Sequence, residues 1–239
     1  LQKNTTGAAN TALGPVALHC NTTGGGNTAV GKSAMHVSTT GSCNTVVGFC
    51  ALAANTTGCS NIAVGHCSLK LNTTGLQNVA VGSFALDANT TACRNTAVGF
   101  HSMGANTTGT YNAAFGNYSL KNNTTGNWNT ASGSYALNNS TTASYNTAVG
   151  TQSLYKTTTG YSNVAVGVYA LCTNTTGSAN TAIGMRALDK NTTGHNNTAS
   201  GLYSLKANTT GNYNTASGTC ALHLNTTGGE NTGVGYGTS

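Results

Sequence analysis

The feature that most constrains this chain is an exact repeat of seventeen residues. The tetrapeptide Asn-Thr-Thr-Gly, or a close variant of it, begins at Asn4 and recurs at every seventeenth residue up to Asn225, giving fourteen copies without insertion or deletion. The unit reads N-T-T-G-x-x-N-T-A-V-G-x-x-A-L-x-x, and its residues are numbered here as positions 1 to 17. A fixed period of this kind is typical of repeat proteins whose units stack on one another.

The length and composition of the unit select the fold class. Seventeen residues are too few for a helix pair, which needs about 34, and Thr, Val, Asn and Gly favour short strands and tight corners over helix. We therefore predict an all-β chain that forms a parallel β-solenoid of the β-roll or β-helix type, with fourteen coils of seventeen residues. Residues seventeen apart then stack at about 4.8 Å. Residues 1–239 are expected to be a single solenoid array and a segment of a longer fibre, since Leu1, Gln2 and Lys3 continue the repeat phase.

The fixed and variable positions predict which side chains face inward. Positions 5, 6, 12, 13, 16 and 17 vary and hold all the charged residues, so we assign them to the outside. Ala at position 9 and Leu or Met at position 15 are expected to fill a thin core, and Gly at position 11 permits a turn with positive φ. Positions 8 and 10 share one face of the strand, which is either core or a lateral contact with another chain.

Position 7 is Asn in every copy, and stacked Asn side chains can hydrogen-bond along a cross-β stack. The sequence therefore predicts a structural Asn ladder formed by Asn10, Asn27, Asn44, Asn61, Asn78, Asn95, Asn112, Asn129, Asn146, Asn163, Asn180, Asn197, Asn214 and Asn231.

The charge content argues against most catalysis. The chain has nine Lys and Arg but only three acidic residues, and Asp87, Asp189 and Glu230 lie far apart in sequence. Two-carboxylate hydrolases and calcium arrays need several acids at one place, and no spacing suggests a nucleophilic triad. We predict no enzyme and no cofactor. No basic run indicates nucleic-acid binding, and no apolar stretch reaches the roughly 18 residues of a membrane span.

The eight cysteines do not follow the repeat. Only Cys50 with Cys67, and Cys43 with Cys59, fall in neighbouring coils at the separation that a disulfide needs. These two pairs are candidate disulfides, and the alternative is exposed thiols without consequence. No C-x-x-C motif is present, so we predict no zinc or other metal site.

Aromatic residues form one strip at position 6, where Tyr111, Trp128 and Tyr145 occur in three consecutive copies. The strip either packs between coils or offers a stacking surface for sugars. The six histidines occupy different positions and are expected to be solvated surface residues.

Eleven copies of N-T-T match the N-glycosylation acceptor. Acceptors about 4.8 Å apart would crowd their glycans, so we interpret them as turn or ladder residues. The off-register acceptors Asn117 and Asn138 are expected to be freer. In a eukaryotic source, dense glycosylation of the Asn and Thr edge is the alternative.

The unit resembles two known groups, as at 27–35 and 95–103. Its full form resembles repeats of bacterial and phage tail-fibre-like proteins, and its A-V-G-x-x-A core is similar to the head repeats of trimeric autotransporter adhesins. The resemblance covers nearly all of the chain. It implies a left-handed solenoid, self-association as a homotrimer or end-to-end filament, and a location outside the cell, on the cell surface or in a virion fibre.

The leading functional prediction is a structural extracellular fibre, filament or adhesin shaft. The alternative is a module that binds glycans or cell surfaces, or ice, through its repeated face. The fixed Thr pair at positions 2 and 3 argues against ice binding, since adjacent residues of a strand point to opposite faces.

Overall fold

A computed structural model describes residues 1–238, which form two compact units, Leu1–Thr125 and the part of the chain from Gly126 onward. Each unit contains seven strands of three residues. In the first unit they are β1 to β7: Thr11–Leu13, Thr28–Val30, Thr45–Val47, Ile62–Val64, Val79–Val81, Thr96–Val98 and Ala113–Phe115. In the second they are β8 to β14: Thr130–Ser132, Thr147–Val149, Val164–Val166, Thr181–Ile183, Thr198–Ser200, Thr215–Ser217 and Thr232–Val234.

In each unit the strands pair in parallel, in chain order and with a shift of seventeen residues, as in Thr28 with Thr45 and Val164 with Thr181. The pairing continues outside the strands, where most backbone donors reach the coil before or after. The Leu52 amide, for example, donates to the Ser68 carbonyl at 2.9 Å, and the Cys67 amide donates to the Phe49 carbonyl at 2.9 Å. The predicted parallel β-solenoid is therefore confirmed for each unit.

The core is one side chain thick. Position 15 contributes a column of Leu and Met side chains that are fully buried from Leu18 to Leu205. At position 9 the side chains are fully buried from Ala29 to Ala216, including Val46, which replaces Ala in one copy. Ala or Ser at position 14 completes the core. Positions 8 and 10 point to the opposite face of each strand, where Val47 and Ile62 are about two-fifths exposed, at 39% and 41%. In each unit these side chains lie outside the core, which excludes the first of the two predicted alternatives; a lateral contact with another chain stays a prediction.

Two kinds of left-handed backbone shape each coil. The Gly at position 11 has φ between 118° and 145° in all fourteen copies, as predicted. The structure also places residues other than Gly at positive φ at positions 6, 13 and 15, and the Leu and Met of position 15 have φ between 47° and 52°. This conformation costs a side-chain-bearing residue roughly 1–2 kcal/mol. Burial of a Leu side chain contributes about 1.5–3 kcal/mol, which offsets that cost.

The Asn residues of position 1 form a second amide ladder, in the turn that follows the core residue of position 15. The Asn72 side chain donates both to the Oδ1 atom of Asn55 at 3.0 Å and to the Gly75 carbonyl of its own coil at 3.1 Å. Ser38 interrupts this ladder because its side chain is too short. The Asn21 Oδ1 and Ser38 Oγ atoms are buried there without a hydrogen-bond partner.

We predict that Ser38→Asn stabilises the protein. The new amide would restore the ladder geometry and satisfy Asn21 Oδ1, and leaving such an atom buried and unpaired costs about 1–3 kcal/mol. Thermal unfolding followed by circular dichroism should show a higher midpoint. Ser83→Asn is the control, since it makes the same change at position 12, where Asn117 already occurs. A lower midpoint for Ser38→Asn, or equal midpoints for the two variants, would contradict the prediction.

Candidate functional site

The Asn residues of position 7 are structural, and their hydrogen-bonding groups are occupied. In the second unit, the Asn163 side chain donates to Gly177 O at 2.9 Å and to Asn146 Oδ1 at 3.1 Å, and the same Oδ1 atom accepts from the Asn163 backbone at 2.9 Å. The side chains from Asn27 to Asn214 are buried. These amides therefore hold neighbouring coils together and are not presented to a ligand.

Most of the N-T-T acceptors are also inaccessible in the folded chain. Nine of their eleven Asn residues are fully buried, and only Asn4 and Asn225 are half-buried. The off-register acceptors differ from each other. Asn117 is exposed, with its Oδ1 atom accepting from the Phe100 amide at 3.2 Å, whereas Asn138 is only 6% exposed. Asn117 is therefore accessible, whereas the expectation that Asn138 is sterically free was wrong, because its side chain is buried.

All eight cysteines are free in the structure. Cys43 is exposed, and the Cys59 sulfur accepts from the Ser42 amide at 3.3 Å and donates to the Thr57 carbonyl. Cys67, one coil beyond Cys50, is buried. Burial raises the pKa of the Cys67 thiol, although the nearby Lys70 ammonium opposes the shift. Formation of the Cys50–Cys67 and Cys43–Cys59 disulfides stays a prediction.

The position 6 strip divides between the units. Tyr111 lies in the first unit, with the Arg94 guanidinium carbon 5.1 Å from its ring centre. Trp128 and Tyr145 lie in the second unit and are 50% and 62% exposed.

A larger aromatic cluster, which sequence reasoning missed, lies in the first unit at positions 12 and 13. Phe84 and His101 stack with centroids 4.8 Å apart, and His101 stacks on Tyr118 at 5.8 Å, while Phe100 packs edge-on against all three. Its signal was the seventeen-residue spacing of rings at 84, 101 and 118. The rings pack against one another, so we interpret the cluster as a contribution to the stability of the fold. The expectation that His101 is a solvated surface residue was wrong, because its ring is sandwiched between two others.

The charges are concentrated on one side of the coil. Eight of the nine basic residues and both Asp residues occur at positions 12 to 17, and the remaining Arg94 and Glu230 occur at position 6. The assignment of every variable position to the outside was too simple. Asp189 is 5% exposed and pairs with Arg186 at 3.7 Å. Asp87 is half-buried, and burial raises the pKa of its carboxyl.

No protein-family model, curated protein or solved structure matches the chain. Over residues 1–238 no group of three or more His, Cys, Asp or Glu side chains could hold a metal ion. The same residues include no helix of the length and apolarity that crossing a bilayer requires.

The cysteines provide a test of the local structure. At about pH 8, near the ordinary pKa of a thiol, we expect iodoacetamide to modify Cys43 first and to modify Cys67 and Cys172 on the order of tenfold more slowly. Burial limits access to the latter two and raises the pKa of both thiols, so less of the reactive thiolate is present. Peptide mapping by mass spectrometry gives the rates, and unfolding in guanidinium should equalise them. Equal rates in the native protein would contradict the described burial.

Proposed function

We propose that the chain is a structural element of an extracellular fibre, filament or adhesin shaft. The observation that carries this proposal is the repetition, in coil after coil of each unit, of the same bonds between neighbours. Besides the two Asn ladders, the position 2 hydroxyls donate across coils, as Thr56 Oγ1 does to the Thr73 carbonyl at 3.1 Å. In such a solenoid, stability comes from the interfaces between neighbouring repeats, so length can be increased without redesign of the core.

The location outside the cell or in a virion is supported by the resemblance of the unit to tail-fibre-like and adhesin-head repeats. The chain offers few sites to trypsin-like proteases, since it has only nine Lys and Arg. Inter-coil hydrogen bonds also occupy the backbone groups to which a protease would have to bind.

Self-association is proposed to use the strand face, defined as the side chains of positions 8 and 10. No charged residue occurs at these positions in any copy. In the first unit the face carries mostly β-branched residues, with Val47 and Ile62 exposed in neighbouring coils. An uncharged face of this kind can pack laterally against the same face of other copies, as in a homotrimer.

The double variant Val47→Lys with Ile62→Lys tests this assembly, because it places two charges on the strand face. We expect it to sediment as a smaller species than the unmodified protein, and electron micrographs should show fewer assembled particles. Thr40→Lys with Thr57→Lys is the matched control, since both residues are exposed at position 3 of the same two coils. An unmodified protein that stays monomeric over all accessible concentrations, or a control that dissociates equally, would refute the proposal.

Ice binding is a second candidate, which one observation favours. The earlier objection concerned Thr at positions 2 and 3, but position 8 is Thr in ten copies and shares the outward face with position 10. In each unit these Thr hydroxyl and methyl groups repeat at the strand spacing of about 4.8 Å. Thermal hysteresis of the purified protein is the expected result. It should decrease in Thr28→Lys with Thr45→Lys and persist in Thr23→Lys with Thr40→Lys, and its absence from the unmodified protein would exclude this candidate.

A further inference from the structure

A cluster of cations lies in the second unit, on the side of the coil that holds positions 12 to 17. It consists of Lys156, Arg186, Lys190 and Lys206, and together with Tyr169 and Tyr203 it is called the basic corner here. These residues come from four successive coils, so they span about 14 Å along the stack. Lys156 and Lys190 are exposed, and the Arg186 side chain is 41% exposed.

Three of the four cations act electrostatically on one buried thiol. Cys172, at position 16 of the second of the four coils, is 8% exposed. Burial raises the pKa of its thiol and Asp189 adds to the effect, whereas Lys156, Lys190 and Arg186 each lower it. Three positive side chains from two different coils are therefore within electrostatic range of a single sulfur.

Little negative charge offsets this cluster. The second unit contains two acidic residues, and one of them, Glu230, lies at position 6, away from the basic corner. The other, Asp189, is buried and pairs with Arg186. Its carboxylate orients the Arg186 guanidinium. The second unit has no further acidic residue at positions 12 to 17 that could pair with the three lysines. The corner therefore presents an excess of positive charge to solvent.

The tyrosines hold two of the cations in place, and each has a cation over one ring face. The Arg186 guanidinium carbon lies 5.1 Å from the centre of the Tyr169 ring, and the Lys206 ammonium nitrogen lies 4.8 Å from that of Tyr203. Cation–π contacts of this kind hold flexible side chains in place, which lowers the entropy lost when an anion binds. The ring face under each cation is not open to stacking by a nucleic-acid base or an uncharged sugar, and single-stranded nucleic acid relies on such stacking.

We propose that the basic corner binds a sulfated polysaccharide. Four cations spread over about 14 Å of the stack match a linear chain that carries several closely spaced, permanently charged groups. The planar guanidinium of Arg186 can bind two oxygens of one sulfate, and the lysines act as point charges. This inference rests on the proposed extracellular role, where such polysaccharides occur, and it assigns that role a ligand.

The test measures binding of heparin, a sulfated polysaccharide, to the full chain by calorimetry at moderate salt. The triple variant Lys156→Ala, Lys190→Ala and Lys206→Ala should lose about tenfold or more in affinity, because three charge contacts and their counterion release are removed. The matched control is Lys32→Ala, Lys70→Ala and Lys121→Ala in the first unit, which makes the same change in net charge. It should stay within about twofold of the unmodified protein, since long-range effects are screened. Circular dichroism should show both variants folded.

Three results would overturn the inference. Equal loss in the two triple variants would mean general electrostatic attraction with no site at the basic corner. Unchanged affinity for chemically desulfated heparin would exclude sulfate as the recognised group. Equally tight, variant-sensitive binding of an oligothymidylate would assign the corner to nucleic acid. Sedimentation of the same samples separates this inference from the proposed function, because assembly through the strand face does not use these lysines.

Discussion

The structure depends on one constraint, which is that every coil must hydrogen-bond to its neighbours along its whole length. The position 7 amides show how this is met, since each one links its own coil to the preceding Asn and to a carbonyl of the following coil, as Asn163 does with Asn146 and Gly177. Close stacking also fixes the Gly of position 11. A Cβ atom at Gly167 would lie 2.5 Å from the Gly184 carbonyl oxygen, besides straining the backbone at a φ of 135°.

The same constraint explains the unusual composition. A buried side chain must pack against its own copy about 4.8 Å away, so inward positions accept one small set of residues and repeat it. A charge placed there would meet an identical charge in the next coil if the repeat were kept. Charged residues are therefore confined to the variable positions, and burial still occurs at Asp189 because Arg186 is its partner.

The period, the parallel stack, the core at positions 9 and 15 and the Gly turn were all predictable from the sequence, because each follows from a residue type repeated at a fixed position. The left-handed Leu residues of position 15 were not. Local preference disfavours that conformation for Leu, and only the demand of the core for its side chain, as at fully buried Leu188, imposes it. The ring stack that contains His101 and the burial of Asn138 were missed for a related reason. Both depend on which residues occupy the variable positions of adjacent coils. The repeat unit used for the prediction does not specify the residues at those positions.

In such a fold, side chains that act together come from successive coils along the stack. Because each coil contacts only its neighbours, a substitution at a variable position changes little of the core and brings its side chain beside the equivalent ones above and below. The rings at Phe84, His101 and Tyr118 arise in this way at position 13 of three successive coils, and the cations around Cys172 come from positions 13 and 17 of nearby coils. A cluster therefore needs no motif along the chain, only compatible residues seventeen or so apart. Binding sites on a solenoid of this type are best sought by comparing the residues at each position of neighbouring copies. Residues that depart from the repeat unit are the ones that indicate such a site.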